Sequence, residues 1–266
     1  MLTDLFNSII LGITEGLTEF LPVSSTGHLI LINKWFYFED SFTKMFDIVI
    51  QVGAILAVVF YFWKRLFPFG KFKTLAEKKD IWQLWRKTLV GVIPAIIIGA
   101  TVGKIIEEKL FNSLVVSLAL LIGGLILIYI EGRKHRASLI SIKQLSYTTA
   151  FLIGLIQCIA MIPGTSRSAA TIIGAMLLGT SRQLAVEFSF FLAIPTLIAA
   201  SGYALLKHGI SFSGNEILIL AAGFITSFIV ALAVVAGLMK FIAKHDLKIF
   251  GYYRIILAVI ILLIIR

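Results

Sequence analysis

Seven stretches of this chain carry no charged residue: 48–63, 88–103, 110–130, 144–166, 188–206, 217–239 and 255–265. A helix rises about 1.5 Å per residue and the hydrocarbon core of a bilayer is about 30 Å thick, so roughly 20 apolar residues cross it. The runs 110–130, 144–166, 188–206 and 217–239 are long enough outright. Those at 48–63 and 88–103 reach with flanking lysines snorkelling to the interface. The last run continues back to Gly251 around a single charge, Arg254. Hydrophobic residues make up 59% of the chain and charged ones 14%, against about a quarter charged in a soluble domain. One core cannot bury so much oil. The expected class is an all-α polytopic integral membrane protein, which excludes a soluble enzyme and a disordered scaffold. The one cysteine, Cys158, excludes an internal disulfide and a cysteine-based zinc site. Met1 to Phe6 include Asp4 and lack a basic segment or a cleavage site, so no cleavable signal peptide is expected.

Three further apolar runs, 5–14, 20–33 and 168–181, are too short to cross. Each abuts a charge and a Pro or Gly, as re-entrant or broken helices do. The net charge of +10 is gathered in loops and predicts no nucleic-acid partner. Residues 64–87 carry eight cations against Glu77 and Asp80, and residues 131–143 carry four against Glu131. Residues 240–248 carry three against Asp246, whereas 104–109 is neutral and 34–47 slightly acidic. The basic loops belong in the cytoplasm and the others outside. Phe67, Phe69, Phe72, Trp82 and Trp85 among the bases of 64–87 read as an interfacial segment.

That assignment makes span 48–63 end inside and span 188–206 end outside. The two halves also align weakly. Gly12-Ile13-Thr14-Glu15 precedes Pro22 as Gly154-Leu155-Ile156-Gln157 precedes Pro163, and Asp47 and Glu187 follow those prolines at similar distances. The pattern predicts an inverted-topology repeat, residues 1–137 and 138–266, whose two re-entrant hairpins meet near mid-membrane. On the register that aligns the prolines, Ser166 answers Ser25, Arg167 answers Thr26, and Ala169 stands where His28 does.

Chemistry concentrates at the two breaks. Glu15 and Glu19 are four apart and share one helix face. Pro22 ends that helix, and Ser24, Ser25 and Thr26 are favoured caps for the next, which would place Ser25 one turn from His28. Intramembrane ionisable groups each cost about 2.5–3.5 kcal/mol or more, so three within 14 residues predict a functional site. The second break, Pro163-Gly164-Thr165-Ser166-Arg167-Ser168, holds the only charge between Lys143 and Arg182. A helix N-terminus beside an arginine fork suits phosphate oxygens, whereas a purely structural Arg167 would pair with Asp47 or Glu187. The composite site fits phosphoryl transfer. Ser25 and His28 could each form a covalent phospho-enzyme, or either could activate water. Ser25 is favoured as nucleophile because His28, one turn away, can serve as base or acid, and Arg167 is the charge clamp. Ser24, Thr26, Ser166 and Ser168 are candidate phosphate contacts, and Glu15 and Glu19 are candidate ligands for Mg²⁺ or Ca²⁺. An apolar bundle around such a site predicts a substrate with a lipid-soluble tail.

The segments Glu15-Gly-Leu-Thr-Glu-Phe-Leu-Pro-Val-Ser-Ser-Thr-Gly-His28 and Pro163-Gly-Thr-Ser-Arg-Ser168 closely resemble the two signature motifs of the undecaprenyl-diphosphatase, or bacitracin-resistance, family. The resemblance runs along essentially the whole chain. It implies metal-assisted dephosphorylation of undecaprenyl diphosphate at the outer face of the bacterial cytoplasmic membrane, with an inverted-repeat fold that is often dimeric. It also implies roles for Glu15, Glu19, Ser25, His28 and Arg167. A lipid or anion transporter is the main rival, because inverted repeats with broken helices are transporter architecture; two carboxylates beside an anion site argue against it. A Ser25–His28 intramembrane protease would need an oxyanion hole rather than an arginine.

Overall fold

The computed structural model describes residues 1–38, 40–70, 73–133, 137–208 and 213–264, and their regular elements are helices apart from one bridge between Leu139 and Thr180. In chain order they are α1 (Leu2–Thr18), α2 (Ser25–Ile32), α3 (Asp40–Tyr61), α4 (Trp63–Leu66), α5 (Leu75–Leu110), α6 (Ser113–Gly132) and α7 (Tyr147–Gln157). A 3₁₀ turn, Cys158–Met161, extends α7, and α8 (Arg167–Leu177), α9 (Arg182–His208), α10 (Gly214–Ile242) and α11 (Lys248–Ile264) complete the chain. Four helical segments are long and apolar enough to cross a membrane: Leu75–Ile106, Ser113–Gly132, Arg182–Tyr203 and Gly214–Ile242.

Two sequence expectations change. The run 144–166 is not one crossing. Helix α7 has 11 residues, about 16 Å, and the chain breaks at Pro163 and Gly164, where φ is +89°. Any Cβ at Gly164 would overlap the backbone of Val116, so the close approach to α6 needs glycine here. The second change is at 64–87 and 104–109, which are largely helix rather than loop. Thr74 and Glu77 form a reciprocal capping box that starts α5 within the basic segment, and α5 then runs 36 residues, through Pro94, to Leu110. Charges mark where a helix leaves lipid, not where it ends. Of the aromatic residues in that segment, Phe72 lies outside the described residues. Phe67 stacks on Trp63, and the Trp85 indole donates to the Leu66 carbonyl at 2.7 Å.

The basic segments gather at one end of the bundle. Lys87 Nζ donates to the carbonyls of Ile142 and Lys143, and Lys143 pairs with Asp80 at 2.8 Å. Arg182 grips Glu131 through two hydrogen bonds, and Glu131 also accepts the Leu247 N–H. Contacts at the start of α1 and the end of α11 lie with residues 34–37: Asn7 donates to the Tyr37 carbonyl, and Lys34 to that of Ile264.

Helices in lipid gain little from hydrophobic burial against one another, so close backbone packing matters more. Helix α1 lies on α10, and α7 on α5. A Cβ on Gly12 would sit 2.6 Å from the Gly223 carbonyl oxygen, and one on Gly154 would overlap that of Gly91. Phe20, Phe188, Phe190 and Phe191 fill the centre, with Phe20 edge-on to Phe190 at 5.5 Å.

Candidate active site

The two breaks are built alike. Ser24 and Ser166 are the two non-glycine residues with positive φ among those described, at 73° and 71°. Ser24 caps α2 by accepting the Gly27 N–H, and Ser166 caps α8 by accepting that of Ala169. Each such conformation costs about 1–3 kcal/mol and persists only where its surroundings dictate it. One offset of 142 residues therefore relates Gly12, Glu15 and Ser24 to Gly154, Gln157 and Ser166. This offset differs by one residue from the one that aligns Pro22 with Pro163. At the 142-residue offset Ser25 pairs with Arg167, Thr26 with Ser168, and His28 with Ala170.

At the junction of the two turns one carboxylate takes bonds from both. Ser25 Oγ donates to Glu19 Oε2 at 2.8 Å, and Arg167 Nη2 donates to Glu19 Oε1 at 3.3 Å. Arg167 Nη1 donates to the Ser189 carbonyl at 3.1 Å, its Nε is buried with no partner, and its Cζ lies 5.8 Å from the Phe20 ring centroid. The pair is well hidden, with side-chain exposures of 10% for Arg167 and 5% for Glu19. Burial of this kind strengthens the attraction and leaves the guanidinium short of acceptors. Ser168 Oγ donates to the Leu21 carbonyl at 2.8 Å and meets Ser166 Oγ at 3.0 Å, which ties the second turn to the first. The Thr171 hydroxyl bonds back to the Arg167 carbonyl and meets Ser189 Oγ at 2.6 Å.

The structural pairing considered for Arg167 is not the one found. Glu187 pairs with Arg65 at 2.5 Å, and Asp47 Oδ1 is buried with no hydrogen-bond partner. Glu15 is 1% exposed and its Oε1 likewise has none; the Oε1 of Gln157, its counterpart at the 142 offset, is also unpartnered. Thr26 sits in the first turn of α2, directly after Ser25.

His28 is placed differently from expectation. Its Nδ1 lies 2.7 Å from the Ser24 carbonyl oxygen and its Nε2 lies 2.6 Å from the Tyr253 hydroxyl. The Ser25 proton is therefore directed at Glu19 and not at His28. Among the described residues no group of three or more His, Cys, Asp or Glu side chains has metal-site spacing. A divalent ion would draw on the two carboxylates, and substrate oxygens and water would fill its remaining positions.

The residue that sequence reasoning left without a role is Arg254. It is fully buried and reaches five carbonyl oxygens: Leu120 and Ala119 on α6, Pro22 in the first turn, and Gly164 and Thr165 in the second. This cation locks both turns to one place. Its isolation within an apolar run was the available signal, because a charge at membrane depth needs partners.

The sequence matches, over residues 8–260, the family described as Bacitracin resistance protein BacA. It is 48% identical over 263 residues to Undecaprenyl-diphosphatase 1 of Clostridioides difficile strain 630, covering 98% of this chain and 96% of that one. It is 47% identical to the Undecaprenyl-diphosphatase of Lactiplantibacillus plantarum, covering 97% of each, and 44% identical to that of Enterococcus faecalis, covering 98% and 97%. With both motifs inside the matched span, the chain belongs to the BacA family of bacitracin resistance proteins.

Proposed function

We propose that this protein is a diphosphatase of the bacterial inner membrane that hydrolyses undecaprenyl diphosphate to undecaprenyl phosphate and inorganic phosphate, recycling the lipid carrier of cell-wall synthesis. The observation that carries this reading is the convergence of the Ser25 hydroxyl and the Arg167 guanidinium on Glu19, one from the start of each broken-helix segment. A transporter needs the cation but has no use for a hydroxyl hydrogen-bonded to a carboxylate beside it.

In the proposed chemistry Glu19 accepts the Ser25 proton as Oγ attacks the terminal phosphorus. The phosphoanhydride bond breaks, undecaprenyl phosphate leaves, and a phosphoserine forms. Water then attacks the phosphorus, giving inorganic phosphate and regenerating Ser25. Arg167 turns from Glu19 toward the non-bridging oxygens, joined by the hydroxyls and free N–H groups around Ser24, Thr26, Ser166 and Ser168. His28 supplies the second proton transfer. Glu15 and Glu19 would hold Mg²⁺ or Ca²⁺, and the orphaned buried oxygen of Glu15 suits that role. Bound there, the ion would supply charge stabilisation for the phosphoryl oxygens.

The topology belongs to the same reading. Helices α1 and α2 would form a hairpin re-entering from the outer side, and α7 and α8 one re-entering from the cytoplasmic side, as inverted repeats of residues 1–137 and 138–266. The shared 142-residue offset, the twin serine caps and the twin glycine crossings support it. The active site would face outward, and the assembly would be a homodimer. The test is phosphate release from farnesyl diphosphate by purified protein with Mg²⁺ or Ca²⁺. Arg167→Ala should abolish it, and lipid binding by wild type without phosphate release would favour the transporter.

A further inference from the structure

His28 is a candidate catalytic group whose orientation is fixed in part from outside both motifs. The Ser24 carbonyl can only accept, so the 2.7 Å contact requires a proton on Nδ1. In the neutral ring Nε2 is then the lone-pair nitrogen, and its partner at 2.6 Å is the Tyr253 hydroxyl, which must donate. The two rings lie within 8° of parallel with centroids 5.5 Å apart. Tyr253 comes from α11, one residue before the Arg254 side chain that binds both turns. A single helix therefore sets the position of the two breaks and the orientation of the imidazole. The strained backbone of Ser24, at φ 73°, aims its carbonyl at Nδ1, so the ring is gripped at both nitrogens.

We propose that Tyr253 is a positioning residue for the diphosphatase reaction, holding His28 in the Nδ1–H tautomer with Nε2 presented to the phenol rather than to Ser25. This rests on the phosphoryl-transfer reading above. It divides the proton work: Glu19 serves the Ser25 hydroxyl, and His28 exchanges its proton at Nε2, on the side of α11. The phenol holds that nitrogen until water or a phosphate oxygen of the substrate replaces it. Which ring nitrogen carries the proton is commonly set by the bond at the other one, and here both bonds agree.

The test uses full-length protein purified in detergent, with farnesyl diphosphate as substrate. Tyr253→Phe keeps the ring and deletes only the hydroxyl. The expected result is a fall in kcat of about tenfold or more, KM within about twofold of wild type, and an unchanged unfolding midpoint. In parallel, ¹⁵N-histidine spectra, with the His28 signal assigned by its loss in His28→Asn, should place the wild-type proton on Nδ1 and move the Nε2 resonance in Tyr253→Phe. Wild-type kcat in Tyr253→Phe would overturn the inference, as would a loss of activity with His28 resonances unmoved. Absence of phosphate release by wild type would instead remove the diphosphatase reading, a result distinct from either of these.

Discussion

Neutralising Glu19 without changing its shape, by Glu19→Gln, separates what the carboxylate does for the fold from what it does for the reaction. In the native protein Glu19 faces Arg167 at 3.3 Å with both groups hidden from solvent. Two unit charges at that separation attract by about 5 kcal/mol at an effective dielectric of 20, and desolvation offsets most of this. The amide oxygen can still accept from Arg167 beside the Ser189 carbonyl, but the charge that compensates the guanidinium is gone, and removing one charge of a buried pair costs about 3–5 kcal/mol. The unfolding free energy should fall by that order. Removing the cation as well, in Glu19→Gln with Arg167→Met, should recover a good part of the loss, because the stranded charge is then gone. Activity should behave differently. The amide cannot take the Ser25 proton, so phosphate release should drop about 10²–10⁴-fold, and the double variant should not regain it. The assays are phosphate release from farnesyl diphosphate and denaturant or thermal unfolding of the same preparations in detergent. A folded Glu19→Gln protein releasing phosphate within about threefold of wild type would refute the assignment of Glu19 as proton acceptor. A double variant less stable than the single one would refute the account of Arg167 burial.

Three other outcomes are expected. Arg254→Met should lower stability by about 3–5 kcal/mol, since the carbonyls of Pro22, Gly164 and Thr165 lose a charged donor; an unfolding midpoint unchanged within about 1 °C would show that the turns hold without it. At the positive-φ cap, Ser24→Ala should be less stable than Ser24→Gly by about 1 kcal/mol, because alanine loses the cap and keeps the strain while glycine relieves it; equal unfolding midpoints would contradict this. Removing divalent ions with EDTA should stop phosphate release, and Mg²⁺ or Ca²⁺ should restore it, with Glu15→Gln raising the metal concentration needed for half-maximal rate; activity indifferent to EDTA would remove the metal from the proposal.

Much of this protein is determined locally. Runs free of charge mark α6, α9 and α10 because no lipid-exposed segment can carry an unsatisfied backbone or charge. Glu19, His28 and Arg167 announce themselves because ionisable groups at membrane depth are costly unless used, and Ser25 because it follows the proline break as a favoured cap one turn from His28. The motifs carry the family, since they are short, contiguous and chemically specific. What the sequence did not yield was set by contacts between distant segments. The division of 144–166 into α7 and a turn depends on Gly164 lying against Val116. The start of the helix after each break depends on where Ser24 and Ser166 take up positive φ and cap it. The partner of the Ser25 proton proved to be Glu19, because His28 is drawn away by Tyr253, 225 positions along the chain. Arg254 finds its five carbonyls only when α6, α11 and both turns come together. Hydropathy is a property of each residue and survives in the string of letters; the direction of a lone pair depends on what folds up beside it.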